Sequence, residues 1–342
     1  MYPISPHSEL KEELESELLR GIPLHVALRS RYWASPEGGR FDESKSYSLS
    51  EPCERFSYFL SHDWKTSRYH KKMSLLIVFN ARCAFCASLA TSLLVGGIEV
   101  AAGIPENLWA PVFGHVVYFL VLLFWQQLRS ALCRGGLVFF DKLCIPQHDV
   151  ALKEKCILGL AAFLHRSEKL LVLWSPRYFS RLWCAYEIAT FMKEQDRSRT
   201  IEVMPVQMSA ILFLFSGAWH VLTWGYYVVD DAADGLPVLQ QTIIVGPLFA
   251  LICAAVAPLA YNMGIGMMKD VEDLPQQLRN FDIREVSCSC CSFPDHVHPE
   301  TGCVSPCTFG RWASTLPTGR RVSRGSRNAP ANPSSPWRWC LS

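Results

Sequence analysis

Ser61, His62, Asp63 and Trp64 put a hydroxyl, an imidazole, a carboxylate and an indole at consecutive positions, directly after the apolar run FSYFL. If that run is a parallel strand, the four stand at its carboxyl end, where ligands of open α/β sheets bind. Asp141, Lys142 and Cys144 follow a second apolar run, LVFF, in the same way and reach the same edge. A different chemistry is offered by Cys288, Cys290, Cys291, His296, His298, Cys303 and Cys307. Thiolates and imidazoles are the donor set of a zinc ion, but their spacing matches no standard finger. A reversibly oxidised cluster, a disordered one and S-acylation near a membrane stand beside the metal reading. The sequence has no Gly-rich phosphate loop and no His-Glu-x-x-His, so P-loop, dinucleotide-fold and metalloprotease chemistry lack support.

Composition narrows the setting for these groups. Half of the 342 residues are hydrophobic and 19% are charged, a balance too apolar for a typical soluble enzyme. The net charge of +2 argues against a nucleic-acid binder that depends on a broad cationic excess. The 14 cysteines include Cys83, Cys86 and Cys253 in apolar segments and Cys133, Cys156 and Cys184 at core-like positions. This scatter reads as reduced thiols and not as a secreted disulfide scaffold. Met1 to Ser50 is polar and carries Glu9, Lys11, Glu12, Glu13, Glu15 and Glu17 with no apolar h-region. Membrane insertion is therefore expected to start from an internal segment.

A bilayer requires roughly 20 apolar residues per spanning helix. Four stretches approach that length: Met73 to about Ile98, Leu108 to about Leu128, Ala210 to about Val229 and Val238 to about Gly264. The second has no charge in its interior and has Trp109 and Trp125 near its ends. The first contains Arg82, which must snorkel, face a protein interior or mark a shorter span. Pro247 and Pro258 suggest kinks in the fourth. Glu99, Glu106, Asp230, Asp231 and Asp234 occupy the two short intervening loops, which hold no Lys or Arg. The opposite ends carry Lys65, Arg68, Lys71, Lys72, Arg129, Arg134, Lys193, Arg197, Arg199 and Lys269. The positive-inside rule then places both termini and the central segment in the cytosol of an integral, multi-pass membrane protein whose partner is the lipid bilayer.

The elements that must position the polar groups are four short β-like runs: Phe56–Leu60, Leu137–Phe140, Leu170–Trp174 and Ile201–Val206. Each is apolar and bounded by polar or turn residues, and helical patterns separate several of them, which predicts a buried parallel sheet with crossover helices. Each membrane interruption contains two spans, so the chain returns to its starting side and the four strands can meet in one compartment. Before them, residues 8–20 have Leu10, Leu14, Leu18 and Leu19 at helical spacing, and 34–52 reads as a loop.

FSYFLSHDW resembles the first strand and following loop of a Toll/interleukin-1 receptor (TIR) domain. LRSALCRGGLVFFDKLCIPQ is similar to its first helix, second strand and next loop. ILGLAAFLHRSEKLLVLWSPRYFSRLWCAYEIATF resembles the run in which a strand leads to Ser-x-x-Tyr and then to Trp-Cys-x-x-Glu, and IEVMPVQM resembles the fourth strand. A fungal heterokaryon-incompatibility domain, with a loop similar to DKLCIPQ, is the alternative family. The TIR resemblance implies an α/β fold: a flavodoxin-like parallel sheet interrupted by two transmembrane helical hairpins. The expected organisation is an N-terminal helix and loop (1–52), a first TIR-like part (53–72), hairpin one (73–128) and a second TIR-like part (129–208). Hairpin two (209–266), a segment for the last TIR-like elements and the Cys/His cluster (267–307), and a disordered tail (308–342) follow.

Many TIR domains cleave the nicotinamide–ribose bond of NAD with a glutamate on the helix after Trp-Cys, and the matching residue is Glu187. In that setting a carboxylate stabilises an oxocarbenium-like centre or orients the ribose hydroxyls. The resemblance implies NAD as substrate, no required cofactor, and a pocket drawn from Ser61, Asp63, Trp64, Asp141, Lys142 and Trp183. Trp64 stacks on a nucleobase or nicotinamide ring, or anchors the chain at the membrane surface. Asp141, Lys142 and Cys144 line the pocket or form an assembly loop, as in signalling TIR domains that act as homo-oligomers. Trp183 and Cys184 also have a core reading, because Trp and reduced Cys are commonly buried. A channel or transporter with a cytosolic ligand-sensing domain is the other class, resting on Arg82, His115 and His220 within the spans.

Overall fold

The computed structural model describes residues 14–33, 43–104, 109–133, 135–193, 199–232, 238–279 and 337–339. Its strands are β1 (Arg20–Pro23), β2 (Glu51–Pro52), β3 (Phe56–His62), β4 (Leu137–Phe139), β5 (Ser167–Trp174), β6 (Thr200–Pro205) and β7 (Trp337–Trp339). They form one sheet in the order β2-β1-β4-β3-β5-β6-β7. β4 and β5 flank β3 in parallel, β6 continues beside β5 and β7 beside β6, while β1 runs antiparallel to both β4 and β2. Taken along the chain, the parallel strands lie second, first, third, fourth, fifth, which is the flavodoxin-like order.

The helices are α1 (Leu24–Ala27), α2 (Glu43–Tyr47), α3 (Arg68–Ala102), α4 (Trp109–Leu132), α5 (Asp141–Cys144), α6 (Val150–Leu158), α7 (Leu160–His165), α8 (Leu182–Lys193), α9 (Val206–Ala232) and α10 (Val238–Arg279). In β5 every residue from Leu170 to Trp174 is buried, as a strand covered on both faces requires. α7 packs Phe163 on Phe56 and Phe139, and α3 sets Phe79 edge-on against Tyr58. The core thus lies between the central strands and the helices that cross them.

Among the described residues four helices are long and apolar enough to cross a membrane: α3, α4, Val206–Val228 of α9 and Phe249–Asp273 of α10. α3 has 35 residues and is about 52 Å long, well beyond a hydrocarbon core of about 30 Å. Its fully buried residues, Lys71, Ser74, Leu75, Leu76, Asn80 and Ala84, all fall in the first half, which packs on the sheet and on α4 and α9. Beyond them Phe85, Leu89, Leu93, Leu94, Ile98 and Val100 are exposed. Counting roughly 20 residues back from Ala102 reaches Arg82, which is exposed and so does not face the protein interior. α4 is locked to α3 by Asn80 Nδ2 donating to Leu122 O (2.8 Å) and Gln126 Nε2 donating to Asn80 Oδ1 (2.9 Å). Gly114 permits their close approach, since a Cβ there would fall 2.0 Å from Ser92 Oγ. The two hairpins touch through Ser74 and Ser209, 3.0 Å apart.

Several expectations change. The helix expected over residues 8–20 lies outside the described residues up to 13, and 14–19 contain a turn leading into β1, which begins at Arg20. Strand pairing wins there because Gly21 and Ile22 pair with Glu51 and Val138, while Leu14, Leu18 and Leu19 are still buried. In the expected loop 34–52, residues 34–42 lie outside the described residues, 43–47 form α2 and 51–52 form β2, held by Arg20 Nε donating to Ser50 Oγ (2.9 Å). α10 runs through Pro247 and Pro258 as one helix and on to Arg279, so 270–279 supply no fifth strand. β7 takes that position from within the segment expected to be a disordered tail. The Cys/His cluster 288–307 lies outside the described residues, among which no group of three or more His, Cys, Asp or Glu is placed to hold a metal.

Candidate active site

In a sheet of this order the switch point lies between the first and third parallel strands, here β3 and β5. Ser61 stands at the end of β3, buried, opposite Val172 of β5. Its hydroxyl donates to Glu187 Oε2, and its oxygen accepts from the Tyr178 hydroxyl. Tyr178 is held by a short 3-10 turn and Glu187 by α8, so residues from three elements converge on one oxygen. Withdrawal from water pushes the Glu187 carboxyl up to about 8, against the lowering effect of the Ser61 hydrogen bond, and the charge of Asp141 pushes in the same upward direction. Burial likewise drives the Tyr178 phenol well above its ordinary range.

Asp141 begins α5 after β4. Its Oδ2 accepts from Trp64 Nε1 (3.1 Å) and its Oδ1 from the Lys142 backbone N–H (2.7 Å). Burial raises this carboxyl to about 6, opposed by those hydrogen bonds and by the Lys71 and Arg181 charges. Trp64 stacks on Phe140 (6.3 Å between ring centroids) and meets His62 edge-on (4.6 Å), and the Lys142 ammonium lies 5.5 Å from its ring centre. Its indole is therefore part of the wall of this edge. His62 is buried among Trp33, Trp64 and Phe140, with Nε2 lacking a hydrogen-bond partner, and burial holds its imidazole well below the usual range.

Asp63 has a different task. Its carboxylate is 1% exposed and accepts from Arg181 Nη1 (3.0 Å), Thr66 Oγ1 (3.2 Å) and the Lys65 N–H (3.2 Å), with Arg177 Nε at 3.7 Å. Its acceptor sites are engaged in fastening the loop after β3 to the start of α8, which leaves little for a ligand. Trp183 lies one helical turn before Glu187, half-buried against the core, and Cys184 is buried and donates to His62 O at 3.6 Å. Tyr178 and Arg181 lie inside the Ser-x-x-Tyr-to-Glu stretch, yet spacing alone assigned them no role. Trp33 carried no sequence signal, and Lys71 counted only as one of the basic residues before the first span.

A cleft of 1060 Å³ opens at the opposite edge of the sheet, lined by Cys53, Glu54, Arg55, Arg166, Ser167 and Lys169, and none of the site residues reaches it. Of the polar residues in the spans, His115 of α4 and His220 of α9 meet with ring centroids 4.4 Å apart, whereas Arg82 is on the outside of the bundle.

These features define a doubly wound α/β protein with its polar cluster at the switch point and two apolar helical hairpins inserted in the chain. The TIR-domain family model matches residues 124–212, from the last turns of α4 through β4, β5, α8 and β6 into α9. The chain therefore carries a TIR-like domain interrupted by apolar helix pairs, with Asp141, Tyr178 and Glu187 inside the matched stretch and Ser61 and β3 before it. Neither a curated protein nor a solved structure matches the chain significantly.

Proposed function

We propose that this is a multi-pass membrane protein whose TIR-like domain signals by self-association and cleaves NAD, with Glu187 as the catalytic carboxylate. The observation that carries the enzymatic part is the Glu187 carboxyl bound to Ser61 at the switch point between β3 and β5. In this reaction the C1′–N bond breaks, its electron pair passes to the pyridinium nitrogen, and neutral nicotinamide leaves. Positive charge develops on the ribose C1′ and ring oxygen. The Glu187 carboxylate stabilises that charge or holds the ribose hydroxyls, and water adds to C1′ with loss of a proton, giving ADP-ribose. Trp64 and the Asp141 carboxyl wall the same edge. Detergent-solubilised protein incubated with NAD should release nicotinamide in step with NAD loss. An inert preparation that still crosslinks into oligomers would leave self-association as the function and remove the enzymatic reading.

The charge pattern supports a cytosolic domain: Lys65, Arg68, Lys72 and Arg129 lie near the domain ends of α3 and α4, while Glu99 lies near the far turn at Gly103. N-glycosylation acceptor sites inserted in the α3–α4 and α9–α10 turns should be modified in microsomes, and a site beside Gly135 should not. Modification beside Gly135 would reverse the orientation.

A further inference from the structure

Lys71 is 0% exposed, in the first turns of the first membrane helix. Removing an ammonium from water is costly unless it is paired or hydrogen-bonded, and an apolar side chain of similar volume is often as stable or more so. Lys71 Nζ donates to Trp64 O (3.3 Å) and lies 5.5 Å from the Trp64 ring centre and 5.8 Å from that of Trp33, within cation–π reach. Trp64 is thus gripped twice, by Lys71 at its carbonyl and ring face and by Asp141 at its indole N–H. Asp63, the other carboxylate that feels the Lys71 charge, is already bound by Arg181. Asp141 in turn acts electrostatically on Glu187. α3 runs from Lys71 to Ala102 with no proline, so the ammonium is fixed to a helix that continues into the membrane.

We propose that Lys71 is a positioning residue that holds Trp64, and through its indole N–H the Asp141 carboxylate, in place at the root of the first membrane helix. Its bearing on turnover rests on the NAD-cleavage reading; the linkage itself does not. The groups that face Lys71 are Asp63 from the loop after β3, His62 from β3, Asp141 and Lys142 from α5, and Arg181 and Cys184 from the α8 region. Among them Asp141 is in direct hydrogen-bond contact with the ring that Lys71 holds.

The test is a pH titration of tryptophan fluorescence on the full chain in detergent, taken as the difference from Asp141→Asn to isolate the Asp141 transition. Wild type should show a midpoint near 6, the value at which this carboxyl titrates. Lys71→Met removes a nearby positive charge, and the midpoint should rise by about one pH unit or more. Lys71→Arg should keep the wild-type midpoint. Lys71→Gln, which retains a donor to Trp64 while dropping the charge, should shift upward as Met does and serves if the Met variant does not fold. An unchanged midpoint in a folded Met or Gln variant overturns the proposal. If wild type releases no nicotinamide, the NAD reading fails while the fluorescence series still decides the role of Lys71.

Discussion

Glu187→Gln should lower nicotinamide release by about 100-fold or more, the range seen when one preorganised electrostatic contact to a transition state is removed. The amide keeps the size of the side chain and can still bond to Ser61, so substrate KM and helix content should change little. In wild type the rate should rise with pH through about 8, because the anionic carboxylate is the form that stabilises the cationic ribose and this carboxyl titrates there. The same shift has a stability consequence of defined sign. The carboxyl is raised from 4.5 in the unfolded chain to about 8 when folded, so its contribution is complete below pH 4.5 and is lost as pH rises through about 8. The Gln variant lacks that loss and should unfold at a higher temperature than wild type at pH 9, and at a similar one at pH 5. Equal rates for the two proteins would remove Glu187 from the chemistry.

Asp63→Ala should destabilise the domain by about 3–5 kcal/mol, the cost of leaving one member of a buried ion pair behind. The Arg181 side chain is 12% exposed and loses its carboxylate, and Thr66 Oγ1 and the Lys65 N–H lose an acceptor as well. Thermal unfolding of the detergent-solubilised protein measures the effect, and Arg181→Met in the Asp63→Ala background should recover part of it. A ligand-binding Asp63 would give the opposite pattern, with a raised KM for NAD and an unchanged unfolding temperature. The bonding of Asp63 favours the structural outcome, which separates it from Ser61 at the end of β3 and from Trp64 beside it.

α3 and α9 leave the sheet directly after β3 and β6, and their first turns are joined by Ser74 and Ser209. A rearrangement of the hairpins therefore reaches the carboxyl edge of the sheet through backbone that is continuous with it.

The sequence by itself determined where the membrane helices and the central strands lie, because apolar length and periodicity are local properties. FSYFL, LVFF, LLVLW and IEVMPV all became strands of the sheet, and the even number of spans in each interruption lets them assemble side by side. The WCAYE motif also located Glu187 on a helix. Only the tertiary structure decided the partners. Ser61 and Glu187 are 126 residues apart and meet because β3 lies beside β5 in one register, which no local spacing encodes. Arg20 to Pro23 form a strand because the free edge of β4 takes a partner there, against the helical pattern of the preceding leucines. Asp63 is bound to Arg181, 118 residues away, and Lys71 was drawn from a row of basic residues into the core beside Trp33. Pairings of this kind depend on the packing of distant elements, whose free energy is shared among many contacts and written in no single segment.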